Sequence, residues 1–193
     1  MELMAKTPDN YYDLAIVDPP YGMKKSSTNG SGKLKNRALN KLNTNWDIAP
    51  NENYFMELFR VSKNQIIWGG NYFTLPPTRC VLCWDKKQMM PTFSRWEYAW
   101  TSFYKPAKLF SYNYQDESKI HPTQKPVKLY EWLLTKYAKQ GDKILDTHGG
   151  SMSIAIACHN LGFDLDCIEL DTDYYKQAVK RYENHKLQQR INF

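Results

Sequence analysis

The sequence lacks any apolar run long enough to suggest a membrane protein. Hydrophobic residues make up 42% of its 193 residues, but no apolar run approaches the roughly 18 residues that a membrane span needs. The segment Met1–Asp13 is too polar for a secretory signal. We therefore expect a cytoplasmic protein without a membrane segment, and its length fits one globular domain.

Cysteine is also scarce, and four cysteines do not make a disulfide scaffold. Cys80 and Cys83 form a C-x-x-C pair inside an apolar run, but no second pair stands at zinc-knuckle spacing, and Cys158 and Cys167 lie far away. The pattern favours ordinary buried thiols in a strand over a metal or redox site. We expect no metal site.

The segment between Pro19 and Trp46 has six basic residues and no acidic ones, so it accounts for the whole net charge of +6. Outside that segment the chain holds 20 basic and 20 acidic residues. Residues 22–46 are rich in Gly, Ser, Asn and Lys, which predicts a long mobile loop. A focused basic patch favours a polyanionic partner such as DNA, and a solvated spacer is the alternative. Its six basic residues are Lys24, Lys25, Lys33, Lys35, Arg37 and Lys41.

Hydrophobic patterning predicts strands that alternate with helices, which is typical of an α/β fold with a largely parallel sheet. The predicted strands cover residues 13–17, 65–68, 81–84, 96–100, 143–145 and 164–168. The predicted helices cover residues 51–62, 127–138, 151–160 and 172–184. No internal repeat is present.

The first motif with chemical character follows the first predicted strand. It consists of Asp18, Pro19, Pro20 and Tyr21. Ligands of open α/β sheets bind beyond the carboxyl ends of the strands. A carboxylate there can accept hydrogen bonds from an exocyclic amine, the two prolines stiffen the turn, and the tyrosine offers a flat face to a base. A plain strand-ending turn is the alternative interpretation.

The second motif is a strand, a glycine-bearing turn and a helix start, in Gly141–Ser151. Such a turn lets a ligand approach the backbone closely. Glu169 follows the next predicted strand, at a spacing from Asp146 that is typical of an acid binding adenosine ribose hydroxyls, although it could equally cap the last helix. Seven acids and one base in residues 142–173 favour a cationic cofactor.

A third motif, His121–Pro126, places paired prolines and polar residues before a helix. Combined with the first two motifs in this order, it resembles the amino-methyltransferases of DNA. The order is that of the group often called the beta class, in which the catalytic motif precedes the cofactor motif. The likeness runs from about Asp9 to Arg181.

Three further details are similar to small phage or mobile-element adenine methyltransferases. They are Trp68–Phe73, Trp84–Lys86 and Glu97 within a strand. The resemblance implies an α/β, Rossmann-like, S-adenosylmethionine-dependent methyltransferase fold in circularly permuted order. Relatives carry another strand before the segment that matches Glu2–Asp13, so we expect either a missing edge strand or a trimmed chain. We expect a single domain over residues 1–193 with no separate target-recognition domain.

The resemblance also implies a reaction, the methylation of adenine N6 in double-stranded DNA by S-adenosyl-L-methionine. Asp18 and the Pro19 carbonyl would hold the target amine, and Tyr21 would stack on the flipped base. Glu169 would bind the cofactor ribose. The cofactor pocket would be lined by Asp146, His148, Gly150 and Ser151. The methionine end of the cofactor would be approached by Thr123, Gln124 and Lys125. A homodimer and a restriction-modification setting are expected by analogy.

Two departures from the family pattern keep alternatives open. The family turn usually reads D-P-F-x-G-S-G, whereas Thr147 and His148 replace Pro and Phe here and Met152 occupies the last glycine position. One alternative is therefore a DNA-binding module that has lost catalysis. Another is a methyltransferase acting on N4 of cytosine or on RNA, although Asp18 stands where cytosine-specific members usually have Ser.

An aromatic-rich segment, residues 93–114, is the other candidate for contact with bases, since nine of its 22 residues are aromatic. The alternative is a core strand followed by a hairpin. We expect Trp96, Tyr98 and Trp100 to lie in the core and Tyr112 and Tyr114 to be exposed.

Overall fold

The computed structural model describes residues 1–23, 47–88, 94–113, 119–121 and 123–191. The helices in these ranges are α1 (Glu2–Lys6), α2 (Glu52–Val61), α3 (Val127–Tyr137), α4 (Ser153–Leu161) and α5 (Thr172–Ile191). The strands are β1 (Leu14–Val17), β2 (Gln65–Trp68), β3 (Val81–Asp85), β4 (Trp96–Thr101), β5 (Lys108–Ser111), β6 (Lys143–Asp146) and β7 (Asp164–Cys167). The predicted basic loop, with all six of its basic residues, lies outside the described residues apart from Gly22 and Met23.

All seven strands form one sheet in the order β5-β3-β4-β2-β1-β6-β7. Strands β2, β1, β6 and β7 are mutually parallel, β3 pairs in parallel with β5, and β4 runs antiparallel to both of its neighbours. The sheet is thus the largely parallel one that the sequence predicts. The described part of the chain places no strand beyond β7, whose residues are exposed or half-buried.

The centre of the sheet is covered on both faces, and every residue of β1 and β2 is buried, including the polar Gln65 at the start of β2. Leu14 and Ile16 face a core cluster that includes residues of α3 and α4. Ala15 and Val17 point the other way, into a cluster with α1 and α2. Successive side chains of a strand alternate between faces, so one short strand contributes to both halves of the core.

The predicted helices are confirmed, with shifted ends. Helix α4 begins at Ser153, two residues later than predicted, because Gly150 and Met152 adopt left-handed backbone conformations that a helix cannot contain. Helix α5 continues to Ile191, beyond its predicted end near residue 184. The sequence does not predict the short elements α1 and β5, since five and four residues carry too little periodicity to stand out.

The aromatic segment is only partly core. Trp100 is buried as predicted, and Tyr98 is half-buried against the same cluster. The prediction for Trp96 is wrong, because this residue begins β4 and is 54% exposed. Tyr112 is exposed, as expected. Tyr114 lies outside the described residues.

The parallel pairing of β1, β6 and β7 brings their carboxyl ends to one edge of the sheet. Asp18 follows β1, Asp146 ends β6, and Glu169 comes two residues after β7. Next to them, the backbone N–H of Gly22 donates to Asp47 Oδ1 at 3.0 Å, so the two ends of the basic segment meet beside Tyr21. In the described ranges, no helix is both long and apolar enough to cross a membrane.

Candidate active site

Asp18 stands at the end of β1 with both carboxylate oxygens engaged. Its Oδ1 accepts a hydrogen bond of 2.8 Å from the Tyr21 hydroxyl, and its Oδ2 contacts the Lys125 ammonium group. The side chain is 15% exposed, so water has only limited access to it. These two contacts fix the plane of the carboxylate at the edge of the sheet.

Lys125 is buried, with 3% of its side chain exposed. Its ammonium also lies 3.1 Å from Glu97 Oε2, and Glu97 Oε1 in turn pairs with Lys86 at 2.5 Å. Burial alone would lower the pKa of Lys125, but the carboxylates of Asp18 and Glu97 raise that pKa above its ordinary value. Burial alone would raise the pKa of Glu97, and the two ammonium groups hold it below its usual range. Lys125 and Glu97 therefore both carry charge, and the cluster pairs two basic side chains with two acidic ones.

Tyr21 is enclosed by the segment that follows β2. Its ring stacks on Tyr72, with centroids 4.7 Å apart and planes at 16°, and meets the edge of Phe73. Gly69 makes the close approach possible, because a Cβ there would lie 2.1 Å from the Tyr21 ring. Burial and the charges of Asp18 and Glu97 raise the pKa of Tyr21, so its hydroxyl stays protonated and donates to Asp18.

Asp146 begins the glycine-bearing turn after β6 and is almost fully buried. Its Oδ1 accepts from the backbone N–H of His148 at 2.9 Å. No hydrogen-bond donor in the described part of the chain reaches Asp146 Oδ2. Burial raises the pKa of Asp146 to about 7, with further contributions from the charges of Asp18 and Glu169. A buried carboxylate oxygen without a donor is a position at which a ligand could supply one.

The turn after Asp146 is held by its neighbours. Glu169 Oε2 accepts from the N–H of Gly150 at 2.7 Å, and Oε1 accepts from the N–H of Asp171 at 2.8 Å. Met152 has a φ of 52°, a left-handed conformation that glycine adopts most easily. The backbone therefore keeps the shape that suits the family's glycine although the side chain differs. The Met152 side chain is buried above Gly149.

His148 faces helix α2. Its Nδ1 lies 3.0 Å from Thr147 Oγ1 and 3.4 Å from the hydroxyl of Tyr54, which itself bonds Thr147 at 2.6 Å. Burial lowers the pKa of His148 to about 4, so the ring is neutral near pH 7. Asn51 caps α2 by accepting from the Tyr54 N–H, which positions Tyr54 at the turn.

The third motif packs against this turn through His121. The imidazole lies 3.7 Å from the position a Cβ would take on Gly150, and its ring meets Tyr174 edge-on at 4.3 Å. Thr123 Oγ1 lies 3.0 Å from His121 Nδ1 and is exposed toward solvent. Gln124 is buried, and its Oε1 accepts from the N–H of Ile120 at 3.1 Å.

The structure thus brings the predicted catalytic and cofactor residues to one edge of the sheet, but Lys125 contacts Asp18 rather than the glycine-bearing turn. Lys86, Glu97 and Tyr72 lie in segments that the family resemblance singles out, but the sequence assigns them no role in the site. For Glu97 a further signal is a charged residue inside an aromatic strand, since a partly buried acid requires a partner. No comparable signal marks Tyr54, whose position depends on tertiary packing. No cluster of three metal-ligating residues occurs among the residues described.

Comparison with known proteins shows which family the chain resembles. Residues 93–180 match the model of the N6/N4 methyltransferase family, described as DNA methylase. The Type II methyltransferases M.HpaI of Haemophilus parainfluenzae and M2.DpnII of Streptococcus pneumoniae are 33% and 40% identical over 66 and 63 residues. These alignments span 34% and 33% of this chain and only 21% and 24% of the two relatives. The resemblance to the DNA amino-methyltransferases is confirmed.

Solved structures confirm the fold. The M1.HpyAVI–SAM complex superimposes with a TM-score of 0.59 at 20% identity, covering 89% of this chain and 90% of that one. The cytosine-N4-specific PvuII DNA methyltransferase gives 0.61 at 13% identity, covering 96% and 86%. The chain therefore has the Rossmann-like fold of S-adenosylmethionine-dependent methyltransferases.

We predict that Gly69→Ala destabilises the protein more than Gly162→Ala. Both glycines have left-handed φ values, 67° and 71°, so both variants suffer the strain of a left-handed alanine, about 1 kcal/mol. Only the Gly69 variant also meets the Tyr21 ring, whereas the nearest atom at Gly162 is 3.5 Å away. Urea unfolding should show an additional destabilisation of about 1–3 kcal/mol for Gly69→Ala. Equal destabilisation would contradict the packing of Tyr21 on Gly69.

We also predict that Asp146 makes the protein less stable as the pH rises through 7. Folding raises the pKa of Asp146 from 3.8 to about 7, so the folded state binds more protons in this window and loses stability as they leave. Folding lowers the pKa of His148 from 6.5 to about 4, which makes stability rise with pH in that lower window. Between pH 6.5 and 7.5 the titration of His148 and His185 in the unfolded state opposes part of this fall. The contribution of Asp146 is therefore read from the difference between wild type and a variant that lacks its carboxyl group.

Urea unfolding at pH 6.5 and 7.5 checks this expectation. The free energy of unfolding of the wild type should fall between the two pH values, by no more than about 1.4 kcal/mol per titrating proton, and Asp146→Asn should remove that fall. The exposed Asp164 provides the matched control, since Asp164→Asn should retain it. The expectation is wrong if Asp146→Asn and wild type respond to pH alike.

Proposed function

We propose that the chain transfers a methyl group from S-adenosyl-L-methionine to the exocyclic N6 of adenine in double-stranded DNA. One observation carries the proposal. The fixed carboxylate of Asp18 and the turn from Asp146 to Gly150 follow adjacent parallel strands, β1 and β6, and so lie side by side at one edge of the sheet. An acceptor for an amine is thereby placed next to a turn suited to a nucleoside.

The residues at the turn fit this cofactor. Asp146 Oδ2 has no donor in the described structure, and Glu169 retains acceptor capacity beyond its two backbone contacts. The acidic edge favours a ligand with net positive charge. Asp146, His148, Gly150 and Ser151 would line the pocket, with Glu169 at the ribose. When bound, S-adenosyl-L-methionine supplies an electrophilic methyl group on its sulfonium.

Thr123 and Gln124 stay proposed residues for the methionine end. The segment that carries them contacts the glycine-bearing turn through His121, which packs against Gly150. Thr123 is exposed to solvent. The neighbour M1.HpyAVI was solved as a SAM complex, which is a property of that protein and a precedent for this one.

Asp18 would act on the amine by accepting hydrogen bonds. The nitrogen lone pair of an exocyclic amine is delocalised into the ring, and acceptors on its two hydrogens favour a pyramidal nitrogen with a free lone pair. Asp18 and the carbonyl of Pro19 would provide those acceptors, and Pro20 would keep the turn rigid. Methylation releases a proton from the nitrogen, and the Asp18 carboxylate is the base within reach. No covalent intermediate with the protein is needed.

The base would be flipped out of the duplex to reach Asp18. Tyr21 is the proposed stacking partner, and Tyr72 covers it in the described structure. Tyr72 is 48% exposed, and a flipped base would take its place on the Tyr21 ring. Asp18 supports adenine as the target, while N4 of cytosine is the second candidate because the PvuII neighbour is cytosine-N4-specific.

The basic segment, residues 22–46, is the proposed DNA-binding surface. Lys24, Lys25, Lys33, Lys35, Arg37 and Lys41 would contact phosphates. The described ends of the segment meet beside Tyr21, which places its attachment at the proposed base site. This segment is also the proposed recognition element of the methyltransferase domain over residues 1–193. A homodimer, a restriction-modification setting and a cytoplasmic location stay predictions.

A DNA-binding module without catalysis is the alternative that Met152 favours. The buried Met152 side chain occupies space above Gly149 that the family's glycine would leave open. Calorimetry with S-adenosyl-L-methionine separates the two functions. Heat of binding, with competition by the demethylated product, supports the enzyme. No heat and no competition support the alternative.

We predict that Asp18→Asn abolishes methylation while Asp164→Asn does not. The amide is neutral and has one acceptor oxygen and one donor nitrogen in place of two acceptor oxygens. Decreases of at least about 100-fold are expected when a group acting in the transition state is removed. Transfer of radiolabelled methyl groups to duplex DNA is the measurement. Asp164 is exposed at the outer strand β7 and serves as the charge-matched control. Equal activity of the two variants would refute the role of Asp18.

We predict that changing Lys24, Lys25, Lys33 and Lys35 to Gln weakens DNA binding without changing affinity for the cofactor. The slope of log affinity against log salt should become shallower by about 0.9 for each phosphate that the variant no longer neutralises. The matched control replaces four exposed lysines elsewhere by Gln, at positions Lys136, Lys139, Lys176 and Lys180. If both quadruple variants bind DNA equally at low salt, the basic segment is not the DNA-binding surface.

A further inference from the structure

The buried charge cluster beside Asp18 carries an inference that rests on the proposed function and extends it. We propose that Lys125 and Glu97 are positioning residues for Asp18. The Lys125 ammonium bridges the two carboxylates and sets the orientation in which Asp18 meets the target amine. Lys125 therefore does not bind the methionine end of the cofactor, the role that the family resemblance implies.

The first argument is geometric. The Lys125 ammonium contacts Asp18 Oδ2 on one side and lies 3.1 Å from Glu97 Oε2 on the other. The face of the Trp68 indole is 5.3 Å away, and Trp68 is fully buried in β2. With two carboxylates and an aromatic face around it, the ammonium is committed to this position. A move to the cofactor turn would leave both carboxylates without their shared cation.

The second argument concerns Glu97, whose carboxylate reaches Asp18 only through Lys125. It lies within the pairing of β3 with β4, where Trp84 and Glu97 are register partners, so the sheet itself fixes its backbone. Lys86 binds its other oxygen. Glu97 thus anchors Lys125 to a rigid part of the fold. The Glu97 side chain is 25% exposed. Withdrawing a charged acid from water even in part is costly and offers little stability compared with apolar packing, so its link to Asp18 through Lys125 calls for a role in the site.

The third argument is electrostatic. If Lys125 were absent, the carboxylates of Asp18 and Glu97 would face each other with only Lys86 as counter-charge. Two neighbouring carboxylates resist carrying charge together. A protonated Asp18 would be a donor instead of an acceptor. Tyr21 and Tyr130 also face this cluster and stay neutral because burial raises the pKa of each. Asp146 interacts with both Asp18 and Lys125, and burial raises its pKa to about 7. Lys125 therefore supplies the positive charge that lies between the two carboxylates.

The test compares Lys125→Met with Lys128→Met in the full chain. Lys128 is three residues further on, its side chain is 66% exposed, and it pairs with Glu131 at the surface. Three quantities are measured for each variant. They are the dissociation constant of S-adenosyl-L-methionine by calorimetry, kcat and KM on unmethylated duplex DNA, and the dependence of kcat on pH.

The proposal expects Lys125→Met to lower kcat by at least about 100-fold, as misplaced reacting groups do. Its affinity for S-adenosyl-L-methionine should stay within about threefold of wild type. In the plot of kcat against pH, the decrease on the acid side should begin at a higher pH than in the wild type. Glu97→Gln should show a smaller change of the same kind, and Lys128→Met should behave as wild type. A decrease of cofactor affinity in step with kcat would overturn the proposal in favour of cofactor binding. A kcat within about threefold of wild type would reduce the cluster to a structural role.

Two further measurements keep the test decisive. If Lys125→Met does not fold, Lys125→Arg takes its place, because it keeps the charge and changes the geometry. That variant should lower kcat at unchanged cofactor affinity, and full activity would overturn the proposal. Failure of the proposed function is recognised separately, since in that case the wild type itself methylates no DNA.

Discussion

A single ammonium group, that of Lys125, joins parts of the chain that lie far apart in sequence. It connects Asp18 at the end of β1 with Glu97 in β4, and it comes from the segment that leads into α3. Because the group is buried, its charge has to be matched locally, and the two carboxylates match it. The position of the proposed catalytic carboxylate therefore depends on charged side chains from β4 and from the segment before α3.

Acidic and basic parts of the chain lie next to each other at this edge of the sheet. The turn after β6 and the end of β7 are acidic, and Asp146 is buried deeply enough that burial raises its pKa to about 7. The excess of positive charge lies in the segment that leaves and returns beside Tyr21. A cationic cofactor and a polyanionic substrate would thus be drawn to neighbouring parts of one edge, each by charge of opposite sign.

Much of this arrangement can be predicted from the sequence, because short apolar runs and glycine-bearing turns are local signals. The strand before Asp18 and the helix capped by Asn51 follow directly from such patterns. The start of α4 does not, since only the structure shows the left-handed conformation of Met152. The partners of Lys125 are also beyond local patterns. They are brought to it by the pairing of strands that are distant in sequence, which no short motif reveals.

Sequencing that detects modified bases, applied to DNA of cells that express the chain and lack other methyltransferases, tests the proposed function most directly. It reports the modified base, its sequence context and the presence of activity together. We expect N6-methyladenine at a defined sequence, absent from cells expressing the Asp18→Asn variant. Unmodified DNA, or methylation at N4 of cytosine instead, would contradict the assignment of this chain as an adenine-N6 methyltransferase.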